Sequence, residues 1–129
     1  MKNMRGMLNK MTGACGEDAA CSFLKKKKYK IIERNFRCPF GEIDIIAKDG
    51  IDMVFVEVKT RASEKFGTPA QAVTYYKKKN IVKTAQFYLM KNPTEMNIRF
   101  DIIEVYGKFA NGMFYFDNIN HLKGVFNQV

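Results

Sequence analysis

Residues 41–60 decide the fold, and they read GEIDIIAKDGIDMVFVEVKT. Gly41–Lys48 and Asp52–Thr60 have the β-branched and aromatic content of strands. Between them lies Asp49-Gly50, a dipeptide that strongly favours a tight hairpin turn. The stretch therefore predicts an antiparallel hairpin.

Side chains alternate between the faces of a strand, which gives this hairpin an apolar face and an acidic face. A two-residue loop would place Asp44 opposite Phe55 and Glu42 opposite Glu57, with Asp44 and Glu57 diagonal neighbours whose Cβ atoms are ~7 Å apart. The apolar face would carry Ile43, Ile45, Ala47, Val54, Val56 and Val58. The acidic face would carry Glu42, Asp44, Glu57 and Lys59, with Ile46, Met53 and Phe55 toward the turn.

Two carboxylates at this spacing can converge on one hard cation such as Mg²⁺ or Ca²⁺. Lys59 follows Glu57 on the same face, and a cation beside an ammonium group suits phosphodiester hydrolysis. Polar residues at alternate strand positions more often face solvent, whereas the apolar residues near the turn favour a partly covered cleft. The residues alone leave both interpretations open.

The whole chain has 129 residues, 47% of them hydrophobic, which is enough for one domain over residues 1–129. Its net charge of +9 favours a polyanionic partner, most often nucleic acid. The basic start, residues 1–11, lacks the apolar stretch of a signal peptide and is expected to be a flexible leader. No apolar run could cross a bilayer, so a cytoplasmic location without membrane contact is expected.

The remaining pattern predicts helices and strands on both sides of the hairpin. A helix is expected over Thr12–Lys28 and a strand over Tyr29–Phe36, and Thr68-Pro69 begins a second helix that continues to about Met90, with a kink near Lys77 as an option. Later segments predict strands at Asn97–Tyr106 and Met113–Phe116 around an Asn111-Gly112 turn, and a helical turn at Ile119–Phe126. The expected fold class is α/β, a mixed sheet of about five strands flanked by helices in the order αβββαββ.

Cysteine and histidine offer little chemistry. Three cysteines, none in a CxxC pair, argue against a disulfide framework or a structural zinc site, and Cys15 and Cys21 are expected to pack in the core. His121 is the sole histidine, so Ser–His or Cys–His catalysis would depend on it. Any catalysis is therefore expected from carboxylates and lysines.

Several short motifs together resemble a known family. They are Gly16-Glu17, Arg34-Asn35, GEIDIIA, VFVEVKTR and Arg99-Phe100-Asp101. In order and spacing they resemble the YraN-like family of small bacterial proteins, over about Met4 to Phe126. The Asp44, Glu57, Lys59 set also resembles the PD-(D/E)xK signature of restriction-endonuclease-like nucleases, and the family is similar in fold and motif to archaeal Holliday-junction resolvases.

The resemblance implies roles for particular residues. Asp44 and Glu57 would be metal ligands together with the backbone carbonyl of Val58, and Lys59 would be the catalytic lysine. Glu17 corresponds to a first-helix glutamate that contributes to the site, and its position on the rim of the apolar arc permits this, although an ordinary surface glutamate is the alternative. The proline that opens the superfamily signature is absent, which leaves the metal-binding logic intact.

Secondary candidates come from the basic residues and from the second helix. Gln71 and Tyr75 are four apart, a weak match to the Gln-x-x-x-Tyr element of some exonucleases. Lys77 interrupts an apolar stripe and Arg61 follows the catalytic lysine, so both are candidates for phosphate contact. Arg34, Arg37 and Arg99 are expected to contact nucleic-acid backbone or to form structural ion pairs.

Together these observations predict a Mg²⁺- or Mn²⁺-dependent endonuclease acting on DNA, with branched or flapped structures as the expected substrates and RNA not excluded. A homodimer is expected by similarity to resolvases, and repair or recombination proteins are expected partners. Two alternatives stay open. One is a nucleic-acid-binding module with weak or no hydrolysis, and the other is an accessory subunit that recruits a separate enzyme.

Overall fold

The computed structural model describes residues 4–62 and 75–126, without the side chains at a few of these positions. Two helices and five strands follow one another in the predicted order αβββαββ, which confirms the α/β fold class. In chain order they are α1 (Met4–Lys26), β1 (Lys30–Cys38), β2 (Gly41–Asp49), β3 (Asp52–Ala62), α2 (Tyr75–Lys91), β4 (Asn97–Ala110) and β5 (Met113–Phe126).

The five strands form one sheet in the order β1-β2-β3-β4-β5. Every neighbouring pair is antiparallel except β3 and β4, which run parallel and are connected through α2. A parallel pair needs a crossover connection, and a helix commonly provides it. The predicted mixed sheet of five strands is therefore confirmed.

The turn between β2 and β3 lies one residue later than predicted. Gly50 and Ile51 form the loop, and Asp49 pairs with Asp52. Gly50 takes the first loop position with a φ of 59°, a left-handed conformation that costs glycine little. Phe55 consequently pairs with Ile46 rather than with Asp44. Each β3 residue thus pairs with a β2 residue two positions away from the predicted partner. Because side chains alternate between faces with a period of two, most of them stay on their predicted faces.

Both faces of the β2–β3 hairpin are covered by a helix. On one face, α1 contributes Ala20, Cys21 and Leu24 to a buried cluster that also contains Ile45, Ala47, Val54 and Val56, with Val58 packed against it. On the other face, α2 contributes Ile81, Ala85 and Tyr88 to a cluster with Ile46, Met53 and Phe55. The acidic face is thus partly covered, as its apolar residues indicated.

Ile43 was assigned to the wrong face. It packs in the α2 cluster together with Ile46, three residues later, and not with Ile45. A regular strand would place Ile43 and Ile45 on the same face. The alternation therefore breaks around Asp44, close to where β2 and β3 stop pairing.

The ends of several elements also differ from the prediction. Helix α1 begins at Met4, so residues 4–11 are helical and not a loose leader. Strand β5 continues to Phe126, which makes the predicted helical turn wrong. The Asn111-Gly112 turn is confirmed, with φ values of 51° and 77°. The predicted helix start at Thr68-Pro69 lies among residues 63–74, outside the described residues. Lys77 lies in α2, which runs without interruption from Tyr75 to Lys91.

The histidine and cysteines have structural surroundings. His121 lies against the rings of Phe23 and Tyr29, and its Nε2 is 2.7 Å from Oδ2 of Asp101. All three cysteines are free, and Cys21 is buried as predicted, whereas Cys15 is half-buried. Neither helix, over the residues that the structure describes, is long and apolar enough to cross a membrane.

Candidate functional site

Strands β2 and β3 diverge at the end of the hairpin away from its loop. Their pairing runs from Asp49–Asp52 to Ile45–Val56. Beyond that point the backbone N–H of Val58 donates a hydrogen bond of 2.7 Å to Oδ2 of Asp44. A carboxylate therefore takes the place of a backbone acceptor, which fixes the Asp44 side chain between the strands.

A cleft of about 380 Å³ opens where the strands diverge. The structure brings six of the predicted site residues together there, and its lining is Gly13, Glu17, Asp44, Glu57, Val58, Lys59, Thr60 and Lys77. A larger groove of about 670 Å³ lies between α1 and β5, but its lining is mostly apolar and holds no pair of carboxylates. The smaller cleft is therefore the candidate for chemistry.

The two carboxylates of the cleft are close enough to affect each other. Burial raises the pKa of Asp44 to about 7, and the neighbouring Glu57 carboxylate contributes to that rise, although the Val58 N–H opposes it. Glu57 is itself buried. A buried pair of carboxylates is unfavourable when both are ionised, so the pair favours a bound cation or a shared proton.

Two lysines approach the carboxylates. Nζ of Lys77, at the start of α2, is 3.4 Å from Oε1 of Glu57. Burial would lower the pKa of Lys77, but the neighbouring groups, chiefly the Glu57 carboxylate, raise it above its ordinary value. Burial lowers the pKa of Lys59, and the positive charge of Lys77 lowers it further, against the attraction of Glu57. The cleft therefore holds one lysine paired with a carboxylate and a second whose charge is less stabilised.

Glu17 reaches the cleft from α1 and is not an ordinary surface glutamate. Its side chain is only 14% exposed, and its Oε1 accepts hydrogen bonds from Arg34 at 3.1 Å and from Asn35 at 2.9 Å. Gly16 permits this approach, because a Cβ at that position would overlap the side chain of Thr60 on β3. The Gly16-Glu17 and Arg34-Asn35 motifs thus meet at one edge of the cleft.

The arginines named as candidates form ion pairs. Arg34 pairs with Asp18 at 2.7 Å as well as with Glu17, and Arg61 pairs at 3.1 Å with Glu104, which is almost fully buried. The structural ion pairs considered for Arg34, Arg37 and Arg99 are confirmed. Arg37 bonds Glu42 at 3.0 Å, and Arg99 bonds Asp49, Asp52 and Asp101 within 3.0 Å. Contact of Arg34 or Arg61 with phosphate stays a prediction, and Gln71 lies outside the described residues.

The sequence interpretation missed two of these contacts. It gave no role to Asn35 beyond its place in a motif, and periodicity contains no signal for its bond to Glu17. It treated Lys77 as a phosphate contact, whereas the structure pairs it with Glu57 across the cleft. Only the break that Lys77 makes in the apolar stripe of the helix indicated that the residue was unusual.

Comparison with known proteins identifies the relatives of this chain. The family model described as "Uncharacterised protein family UPF0102" matches residues 16–105. The chain belongs to the UPF0102 family. A UPF0102 protein of Caldanaerobacter subterraneus is 44% identical over 124 residues, which cover 95% of this chain and 100% of that relative. A UPF0102 protein of Caldicellulosiruptor saccharolyticus is 44% identical over 115 residues, with 88% and 95% covered.

A third relative, a UPF0102 protein of Clostridium botulinum, is 50% identical over 99 residues, which cover 75% of this chain and 80% of the relative. The matched range of the family contains Glu17, Asp44, Glu57, Lys59 and Lys77. The candidate cleft is therefore built almost entirely from the UPF0102 region. All of β5 lies beyond that region.

Proposed function

We propose that this UPF0102 protein is a metal-dependent endonuclease that hydrolyses phosphodiester bonds in DNA. The observation that carries the proposal is the meeting of Asp44, Glu57 and Lys59 in one cleft, where β2 and β3 diverge. The resemblance of these residues to the PD-(D/E)xK signature supports the same function and, by similarity to junction resolvases, favours branched or flapped DNA.

The donor atoms of the cleft fit Mg²⁺ or Mn²⁺. Among the described residues, no group of three or more histidine, cysteine or acidic side chains could hold a metal ion. Mg²⁺, however, is commonly bound by one or two carboxylates together with waters and substrate phosphates. Asp44 and Glu57 supply two such carboxylates, and the Val58 carbonyl would be a third protein oxygen. When bound, the cation would polarise a phosphoryl oxygen.

The residues of the chain have separable tasks in this proposal. Asp44 and Glu57 would hold the cation, and the Val58 N–H holds the Asp44 carboxylate in position. Lys59 would stabilise the negative charge that develops on the phosphate or orient the attacking water. Its lowered pKa makes it better able to exchange a proton than an exposed lysine. Glu17, held by Arg34 and Asn35, would form the wall of the cleft on the α1 side.

Helix α2 would provide much of the attraction for DNA. It contains five lysines and no acidic residue, and the first of these lysines, Lys77, lines the cleft. Lysines that neutralise phosphates release counterions, so the affinity should fall steeply as salt concentration rises. This basic helix also favours the second candidate function, a DNA-binding module that does not cleave, because binding through α2 would not need the carboxylates.

A cleavage assay tests the proposal. End-labelled single-stranded, duplex, flapped and four-way-junction DNA would be incubated with the wild type, Asp44→Asn and Lys59→Ala in Mg²⁺, Mn²⁺ or chelator. We expect metal-dependent cleavage by the wild type and at least a hundredfold loss in both variants, the scale at which single catalytic groups contribute. Lys108→Ala, an exposed lysine on β4, is the matched control and should cleave normally.

The outcomes separate the two functions. Cleavage that needs the metal and is lost in both variants would establish the nuclease. If the wild type and both variants shift DNA equally in a salt-sensitive manner but none cleaves, the protein is a binding module and the enzyme proposal is wrong. Cleavage of equal strength in the variants would point to a contaminating nuclease and would also reject the proposed site.

A further inference from the structure

A second groove adjoins the cleft on the side of α2. It has a volume of about 280 Å³ and is lined by Phe40, Gly41, Glu42, Glu57, Lys77, Asn80 and Ile81. We call it the Phe40 groove. It shares Glu57 and Lys77 with the cleft, so the two pockets lie next to each other. Pockets for drug-sized ligands measure roughly 300–1,000 Å³, so this groove suits one small planar group.

Phe40 stands at the mouth of this groove on a rigid turn. Cys38 pairs with Gly41, so Pro39 and Phe40 form a two-residue loop between β1 and β2. The Phe40 N–H bonds Sγ of Cys38 at 3.4 Å, and its ring meets the edge of Phe87 at a centroid distance of 6.3 Å. Even so, the residue is 46% exposed. The turn therefore fixes an aromatic ring that the core only partly covers.

Two lysines of α2 lie on the side of the ring, while Glu42 and Glu57 also line the groove. Nζ of Lys83 lies over the Phe40 ring, 5.6 Å from its centroid. Lys79, four residues earlier on α2, is exposed on the same side of the helix. Exposed aromatic rings beside lysines are found in proteins that bind single-stranded nucleic acids, since the lysines contact the backbone and a base stacks on the ring. A base that stacks on the face below Lys83 would displace that ammonium from the ring.

The floor of the groove is polar and open. Asn80 is exposed, and its side-chain amide offers both a donor and an acceptor. Gly41 has a φ of 147°, a conformation that favours glycine, so the floor carries no side chain at this position. A planar group stacked on Phe40 would therefore meet hydrogen-bonding groups and would not be blocked by a side chain at position 41.

We infer that the Phe40 groove binds an unpaired base of the DNA, next to the phosphate held in the cleft. This inference rests on the proposed function and names its substrate class. A base within a duplex is stacked on both sides and cannot present a face to Phe40, whereas a base in a flap, a single strand or an opened junction can. The protein should therefore prefer DNA with an unpaired nucleotide beside the scissile bond.

The chain contains no tryptophan, which gives a direct probe of stacking. Phe40→Trp would carry the only tryptophan, and a base stacked on it should quench its fluorescence. Phe40→Ala removes the ring. Phe116→Ala is the matched control, because Phe116 is a similarly exposed phenylalanine, 49% against 46%, on β5 away from the groove. Affinities would be measured by anisotropy with labelled single-stranded, flapped and fully paired DNA, in chelator so that nothing is cleaved.

We expect Phe40→Ala to bind single-stranded and flapped DNA about tenfold more weakly, the scale of one lost stacking contact, with little change for the duplex. Phe40→Trp should bind as the wild type does, with quenching by unpaired DNA only. Phe116→Ala should match the wild type on every substrate. Circular dichroism of each variant would show that the fold is retained.

The results distinguish this inference from the proposed nuclease. If the wild type cleaves in Mg²⁺ or Mn²⁺ but Phe40→Ala binds and cleaves every substrate normally, the groove does not bind a base and the nuclease stands. If no variant cleaves but Phe40→Ala still loses affinity for unpaired DNA, the groove is confirmed in a binding module. Equal losses for duplex and single strands, or no binding by the wild type, would overturn the inference.

Discussion

Asp101 on β4 and the Asp44–Glu57 pair of the cleft are acidic groups of the sheet whose surroundings differ in kind. Asp101 on β4 is fully buried, and it accepts bonds from Arg99, His121 and the backbone N–H of Gly124. Asp44 on β2 receives one backbone N–H and faces Glu57. Burial alone would raise the pKa of Asp101, yet its bonds to His121 and Arg99 lower it, whereas the pKa of Asp44 is raised.

The Asp101 cluster has a structural role, whereas the cleft is the site for which we propose a function. Around Asp101, the guanidinium of Arg99 also bonds Asp49, Asp52 and the hydroxyl of Tyr29, so every carboxylate has a cationic partner. Groups satisfied in this way hold β3, β4 and the hairpin together. In the cleft, Asp44 accepts the Val58 N–H and Glu57 pairs with Lys77, but the two carboxylates also face each other and the pKa of Asp44 is raised. Raised pKa values of this kind are typical of functional sites.

The largest expected effect comes from breaking the satisfied cluster. Asp101→Asn would remove the negative charge that compensates Arg99 and bonds His121, and we expect a loss of about 3 kcal/mol in the free energy of unfolding, since removing one partner of a buried ion pair leaves the other uncompensated. Urea denaturation followed by circular dichroism measures it. Asp117→Asn, at an exposed aspartate of β5, should change stability by less than about 0.5 kcal/mol. Equal losses in the free energy of unfolding from the two substitutions would refute the structural role of Asp101.

A bound cation would compensate the charges of Asp44 and Glu57 in the cleft, as Arg99 compensates Asp101. If Asp44 and Glu57 hold Mn²⁺, a concentration ten times the Kd should add about 1.4 kcal/mol to the free energy of unfolding, because the ligand binds only the folded state. Thermal denaturation with and without Mn²⁺, in wild type and in Asp44→Asn, tests this without any substrate. The rise in Tm should disappear in the variant, and a rise of the same size in both would place the cation elsewhere.

A smaller change of opposite sign is expected from neutralising the cleft without metal. Asp44→Asn removes the repulsion with Glu57, and its side-chain oxygen can still accept the Val58 N–H. In chelator at pH 8 we expect the variant to be about 1 kcal/mol more stable than the wild type, although its cleavage is lost. Stability lower than wild type, by urea denaturation, would show that Asp44 has a structural role like that of Asp101.

The pH dependence should also have opposite signs in the two clusters. The folded pKa of Asp44 is about 7, above the ordinary 3.8, so its protonated form stabilises the fold fully below pH 3.8 and this contribution is lost as pH rises through 7. The pKa of Asp101 is lowered, so its contribution is present above pH 3.8 and is lost as pH falls further.

Urea denaturation in chelator from pH 5 to pH 8 measures the first of these effects as the difference between wild type and Asp44→Asn. That difference should be smaller at pH 5 than at pH 8, because the contribution of Asp44 declines between pH 3.8 and 7. A difference that does not change with pH would mean that Asp44 is not the group that titrates. Data below pH 4 would report on Asp101, where stability should fall.

The sequence predicted the positions of the cleft residues better than their contacts. The hairpin signal of Asp49-Gly50 and the alternation of Val54, Val56 and Val58 were sufficient to place Glu57 and Lys59 on one face. The direct approach of Asp44 to Glu57 was not predictable, because it depends on a turn placed one residue later and on the divergence of the strands. The ion pairs of Arg34 and Arg61 join distant parts of the chain, which periodicity does not report.

The error at β5 has a local cause. Leu122 and Val125 are three residues apart, a helical spacing, yet both pack in the α2 cluster from a strand. Gly124, with a φ of 61°, lies between them where the pairing of β4 and β5 changes register. A bulge there moves the next side chain to the other face, so a strand imitates the periodicity of a helix.

The parallel pairing of β3 with β4 has a consequence for folding. Residues 63–96 must be closed into a loop before β4 can pair, and such long-range contacts form slowly. Until then β3 is an edge strand whose Val54, Phe55 and Val56 are open to pairing with other chains. Glu57 and Lys59 interrupt this apolar run with charge, as residues that limit aggregation do. The charged side chains proposed for catalysis would thus also protect the half-folded chain.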